Sequence, residues 1–493
     1  MFFQIELLYF VLMIGVFILC VLAFKMPAGI SMMISAVIGM ALSAIISHTE
    51  FSLRELIDGA FGYFDTILII TAAMIFMGGL QASGALDYIS ALLVKKLYRM
   101  PTLLLISFML IIMFPAMVTG SSLASIISSG ALLAPIMIKM GIPKQKAGAI
   151  VAFGAVLGMI APPINVPVMA ICDVVDIPYI GFTVPLLILT IPLAIFCVLI
   201  LGRKYINNID LNEMAKVIDF SILDKKPSKE ELILKANEEK EQEKERLAQE
   251  TESGDIYYSD IDKINNQENK EVKKDKVYYN FTVLIPVIIL IVLIILESIW
   301  PAIFGRLGMT LIFLIATIPT FFVGKKEKGF KDNALKVVDV FKTGIEKSLG
   351  AMGLLCGVGM FVQVLTLSGA RGWFVANVIS LPSFGQYVAM ALSLPIFGGI
   401  SAFGSASILG GPFVMAFLRF KDIVVASGLS LLAALGEFLP PTAMSATFCA
   451  EIVGEEKYIN ITKSAIVPLV VCIAYTLVYI FAFGALAKSL GWF

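Results

Sequence analysis

The 493-residue chain reads as an all-α polytopic membrane protein made of two inverted repeats, and three observations point there. Its hydrophobic fraction is 59% and its mean hydropathy +0.92, against roughly 45–50% apolar residues in a soluble domain. Many apolar runs exceed the ~18 residues that mark a membrane-spanning helix. The third observation is a duplicated interruption, Gly158-x3-Pro162-Pro163 and Gly436-x3-Pro440-Pro441, 278 positions apart and each inside an apolar stretch long enough to span a bilayer. Proline removes a backbone donor and disrupts the turn before it, leaving polar groups that hydrocarbon cannot satisfy. Broken helices in corresponding halves of one chain mark a secondary transporter whose site lies at the repeat interface near mid-membrane.

In chain order, apolar runs at about 7–24, 29–47 and 66–82 are ordinary spans, the first two separated by Lys25 and Pro27. The start lacks a basic n-region and a clear cleavage site, so the first run is expected to be a retained span. Ser83-Gly84-Ala85 and a short amphipathic stretch ending in Lys95, Lys96 and Arg99 follow. The run at about 101–138 is too long for one helix, and its interior, Pro115-Ala-Met-Val-Thr119-Gly120-Ser121-Ser122, suits the tip of a re-entrant hairpin buried in protein or lining a cavity. A broken span at about 147–171 and a last span at 179–202 complete a first membrane repeat, residues 1–203.

The second repeat, 279–493, copies this order. Spans at about 280–299, 303–323 and 346–367 lead to Phe361-x3-Leu365-x2-Ser368-Gly369-Ala370, which matches Phe76-x3-Leu80-x2-Ser83-Gly84-Ala85 at an offset of 285. A second overlong run, about 386–418, contains Pro395-Ile-Phe-Gly398-Gly399-Ile-Ser401-Ala-Phe-Gly404-Ser405, and a second broken helix covers about 422–449. Matching motifs, order and spacing together argue for internal duplication. The scheme totals about eleven spans plus two hairpins, and an odd number of spans per repeat inverts the second copy.

Net charge is zero, but residues 204–278 hold 33 of the 74 charged side chains. This insertion, with Glu230-Glu231 and the mixed-sign run Glu238 to Arg246, reads as a solvated cytoplasmic linker or a docking arm. Nothing suggests nucleic-acid binding. Placing the N-terminus outside puts Lys25, the Lys95/Lys96/Arg99 cluster, Lys139/Lys144/Lys146, Arg203/Lys204 and Lys325/Lys326/Lys328 on the cytoplasmic side, with Arg54, Arg306, Arg371, Arg419 and Lys421 as exceptions. Six scattered cysteines and one histidine, His48, offer no metal-ligand spacing, so no transition metal or other cofactor is expected. An enzyme is disfavoured because acid pairs, His clusters and any Ser–His arrangement at membrane depth are missing.

The breaks and hairpin tips supply carbonyls, helix N-termini and hydroxyls with little fixed charge, a mixture suited to a sodium ion and a carboxylate together. First-half candidates are Thr119, Gly120, Ser121, Ser122, Pro162, Pro163 and Asn165. Second-half candidates are Gly399, Ser401, Gly404, Ser405, Pro440, Pro441, Thr442 and Ser445. Taken singly, any of these Ser or Gly residues also fits close helix packing. Glu437, whose first-half counterpart is Met159, is an acid deep in an apolar span: a cation ligand or proton carrier, or else a buried neutral acid or the partner of a base. Asp173 and Asp176 read as loop acids near the outer end of the first broken helix. Arg371 either attracts substrate carboxylates or sits at the interface.

Gly120-Ser121-Ser122, Gly158-x3-Pro162-Pro163 and Gly436-x3-Pro440-Pro441-Thr442, in this order over nearly the whole chain outside the insertion, resemble the large membrane subunit of tripartite ATP-independent periplasmic (TRAP) transporters of the ion transporter superfamily. The resemblance implies a scaffold and a mobile domain holding the hairpins and broken helices, working by an elevator motion. It implies sodium-driven import of a small organic acid across the cell inner membrane. It also implies two partners, an extracytoplasmic substrate-binding protein and a small four-helix membrane subunit. Two departures from the family pattern are the insertion and Pro-Pro-Ile-Asn165 in place of a Pro-Pro-Ser type sequence. The alternative reading is a stand-alone carrier of citrate or dicarboxylates from the same superfamily.

Overall fold

The computed structural model describes residues 5–46, 52–206, 281–300, 308–323 and 330–491. Almost all of the charged insertion, His48, Arg306 and Lys325/Lys326/Lys328 lie outside the described residues. The described elements are helical throughout. Among the described residues eight helices are long and apolar enough to cross a membrane by length and composition, and shorter apolar helices accompany them.

The first half runs α1 (Ile5–Leu22), α2 (Ala28–Ile46), α3 (Leu53–Phe61), α4 (Phe64–Ser83), α5 (Ala85–Leu97), α6 (Pro101–Thr119), α7 (Ser122–Ser125), α8 (Ala131–Lys139), α9 (Lys144–Ile160), α10 (Val166–Val175) and α11 (Thr183–Gly202). The second continues with α12 (Ile285–Ile299), α13 (Gly308–Thr317), α14 (Phe330–Leu367), α15 (Ala370–Ser380), α16 (Ser383–Gly398), α17 (Ala402–Ser405), α18 (Gly411–Ala416), α19 (Asp422–Leu435), α20 (Met444–Val453), α21 (Tyr458–Val478) and α22 (Gly484–Ser489).

From α4 onward the two halves repeat element by element. Each Ser-Gly-Ala turns the chain at a glycine in the left-handed region, Gly84 (φ 77°) between α4 and α5 and Gly369 (φ 72°) between α14 and α15. Each hairpin carries a π-helical turn, Ile126–Gly130 and Ala406–Gly410, a local widening that recurs at functional sites. In each hairpin a serine ties the descending arm to the ascending one: Ser125 Oγ donates to Ile112 O, and Ser405 Oγ donates to Leu394 O at 2.7 Å.

One expected span differs. The run at about 346–367 is the C-terminal part of α14, which begins at Phe330. Its first turns are charged and make an exposed i,i+4 pair, Lys342–Glu346 at 3.9 Å, so an apolar-run reading stops where the helix does not. The short α3, capped by Ser52 accepting from the Glu55 N–H, is missed for the same reason.

Two bodies of packing result. In one, α14 lies against α2, α3 and α4, with α13 on α4 and α1 on α2. In the other, α9 and α19 form the centre, buried from Ala147 to Ile160 and from Ile423 to Leu435. The glycine that opens each Gly-x3-Pro-Pro motif lets its helix touch the first arm of its own hairpin. A β-carbon at Gly158 would stand 2.5 Å from Met113 O, and one at Gly436 would stand 2.4 Å from Pro395 O. The last spans of the halves are joined by Tyr475 and Tyr479, whose hydroxyls donate to Ile188 O (2.8 Å) and Pro185 O (2.9 Å).

Candidate functional site

Both diproline motifs interrupt their helices as the sequence predicts. The helix stops after Ile160 and resumes at Val166; in the second copy a short 3-10 turn, Gly436–Phe438, precedes the gap and α20 resumes at Met444. Pro162-Pro163 and Pro440-Pro441 are joined by cis peptide bonds. Residues 161–165 are wholly buried, whereas Pro440, Pro441 and Thr442 are exposed.

Each break is stitched to the tip of its own hairpin. The Ile164 N–H donates to Met117 O at 3.2 Å. The Thr442 N–H and hydroxyl both donate to Gly399 O, at 3.2 and 2.7 Å. Backbone groups freed by the breaks thus find partners within the protein, as a low-dielectric surrounding requires.

The tips themselves are small helix N-termini. Gly120, at φ 64°, ends α6, and Ser121 then caps α7 by accepting from the Ala124 N–H at 3.4 Å. Thr119 donates its hydroxyl to Pro115 O at 2.7 Å and accepts from the Ser121 N–H at 3.3 Å. At the second tip Ser401 caps α17, accepting from the Gly404 N–H at 3.1 Å. Such capping serines accept with one lone pair and leave the hydroxyl proton free to donate.

Glu437 is 3% exposed and accepts from the hydroxyls of Ser122, at 2.7 Å, and Ser445. No base pairs with it among the described residues. It joins the first hairpin to the second break, while Thr442, five residues on, joins that break to the second hairpin. The elements interleave likewise: α7 and the first π turn pack on α20, and α10 packs on α17, α18 and the second π turn.

Asn165 is wholly buried within the first break. Its Oδ1 accepts from the Val168 N–H at 2.9 Å, and its Nδ2 donates to Ile160 O at 2.9 Å and to Ser430 Oγ at 3.0 Å. The amide bridges the two pieces of the broken helix and α19, with both amide protons in use. Arg371 is half-buried between helices and donates to Val174 O at the C-terminal end of α10. Asp173 and Asp176 are exposed.

A cavity of about 400 Å3 opens beside the first tip. Ser121 is the one predicted site residue in its wall; the opposite wall brings Met74, Met77, Gln81, Asp87 and Lys347 from α4, α5 and α14. Sequence reasoning missed these residues. The signal available was Gln81 as a polar residue within an apolar span, but the facing Lys347 is 266 positions away.

Residues 14–486 match the family described as tripartite ATP-independent periplasmic transporter, DctM component. The chain belongs to the DctM family. The match covers nearly the whole chain, and the resemblance carried by Gly120-Ser121-Ser122 and the two diproline motifs is borne out. No curated protein matches it. DctM proteins are large subunits of tripartite transport systems that also have a small membrane subunit and a binding protein, and the apolar helices here fit a multi-pass membrane subunit of that kind.

Proposed function

We propose that this DctM-family chain is the permease subunit through which a small organic acid enters the cell, driven by sodium, with the two hairpin tips and two helix breaks holding cargo and ion. The observation that carries this reading is the convergence at the second break, where Glu437 takes Ser122 from one hairpin and Thr442 takes Gly399 from the other. Capping hydroxyls and helix N-termini offer donors to a carboxylate, while break carbonyls and the Glu437 carboxylate offer oxygens to a hard cation. Two copies of one unit, related by inversion in this reading, permit two mirror-related conformations, the basis of alternating access by an elevator-like movement. The reading places the chain in the inner membrane with its N-terminus outside and the insertion cytoplasmic.

The test is uptake of labelled organic acids by proteoliposomes that contain the chain, its small membrane partner and the binding protein. An inward sodium gradient is expected to drive accumulation. Uptake that ignores sodium and follows a proton gradient would move the coupling role to proton transfer at Glu437. Accumulation of neutral solutes alone would overturn the acid-import reading.

A further inference from the structure

The cavity beside the first hairpin has two chemically different walls. Its volume, about 400 Å3, is at the small end of the ~300–1,000 Å3 typical of small-molecule sites. The α14 side presents Lys347, whose ammonium is drawn toward α4 by donating to Gln81 Oε1 at 3.2 Å. The α5 side presents Asp87 in that helix's first turn, where partial burial raises the pKa of its carboxyl and the N-terminal helix dipole acts against that rise. Among the described residues neither charge is paired with an opposite one. The hairpin wall offers one hydroxyl of each kind. Ser121 Oγ accepts from the Ala124 N–H, leaving its proton to donate outward, whereas Ser128 Oγ donates to Ala124 O at 2.6 Å, leaving lone pairs to accept.

A cavity lined by a free cation and a free anion, with one hydroxyl able to donate and another able to accept, is complementary to a dipolar solute. We propose that this site selects small zwitterions of amino-acid type, the carboxylate toward Lys347 and Ser121 and the ammonium toward Asp87 and Ser128. The proposal rests on the acid-import reading above and narrows its substrate class. A plain dicarboxylate would gain Lys347 but set its second charge against Asp87, and like charges brought together count against a ligand. Met74 and Met77 supply an adaptable apolar surface for a short side chain.

Matched pairs that differ by the amino group alone test it: L-glutamate against glutarate and L-alanine against propionate, titrated by calorimetry into the full-length chain in nanodiscs with sodium present. Each amino acid is expected to bind about fivefold or more tightly than its deaminated partner, the worth of one partly solvated ion pair. Asp87→Asn should erase that ratio, weakening both amino acids and tightening glutarate, whose second carboxylate it frees from a like charge, while Lys347→Gln should weaken all four. Both positions are exposed, so the variants are expected to fold, which their melting curves check. Deaminated acids that bind as well as the amino acids, a ratio insensitive to Asp87→Asn, or no binding by any of the four overturns the proposal. If Lys347→Gln still weakens glutarate, the acid-import reading survives that failure; if only an uncharged sugar control binds, both fall.

Discussion

Glu437 is the residue on which the chemistry of the second break turns. An ionised carboxylate is expensive at membrane depth unless hydrogen-bonded or matched to a cation, and its protein partners here are two hydroxyls, from Ser122 and Ser445. Glu437→Gln keeps the shape and removes the charge. We expect uptake in reconstituted vesicles to fall by tenfold or more, a change of about 1.4 kcal/mol or greater, while the melting temperature is unchanged or raised, since replacing a buried charge is often stabilising. A variant that transports normally with the same ion dependence would remove Glu437 from coupling. Asn165 behaves in the opposite way. Asn165→Ala deletes an N-cap and strands the buried Ile160 carbonyl and the Val168 N–H, at a cost of about 1–3 kcal/mol. The expected result is a lowered melting temperature accompanying lost uptake; unchanged stability would show that the bridge is not structural.

The elements most legible in the sequence were those whose cause is local. Pro162-Pro163 and Pro440-Pro441 announce their breaks because a missing N–H and a ring clash act within one turn, and the two hairpins show as apolar runs too long for one helix. The pairing of each break with its own tip, and of Glu437 with the opposite hairpin, was not legible, because it depends on tertiary placement across 315 positions. Nor was the cavity, whose charged residues come from helices far apart in the chain and carry no spacing signal. At this level the two motif glycines carry a direct test. A β-carbon at Gly158 or Gly436 would press on a carbonyl oxygen of the facing hairpin arm at 2.5 or 2.4 Å, and backbone cannot yield as a flexible side chain can. Gly158→Ala and Gly436→Ala are expected to destabilise by about 1–3 kcal/mol, as overpacking does. Gly15→Ala, which meets nothing within 4 Å, is the control. Equal melting temperatures for all three would mean that the helix–hairpin contact is loose.

Across the whole molecule the two halves are alike in element order but unlike in which hairpin arm the helix after each Ser-Gly-Ala packs on. In the first half α5 packs on α6, and the cavity lies between α4, α5, α14 and the hairpin. In the second, α15 packs directly on α18, and Arg371 reaches across to Val174 O. The cavity beside the first hairpin and the direct contact beside the second form an asymmetry that the proposed alternating movement would exchange. The proposed movement then has a definite signature: closing the first side must separate Arg371 from Val174. Cross-linking the pair Arg371→Cys and Val174→Cys, in a Cys172→Ser and Cys356→Ser background, is expected to abolish uptake. Ser128→Cys in the cavity wall should stay reactive toward a water-soluble thiol reagent in the cross-linked protein, and a reductant should restore transport. Undiminished uptake with the cross-link formed would mean that α10 and α15 travel together, and that the Arg371–Val174 contact is fixed and has no part in the cycle.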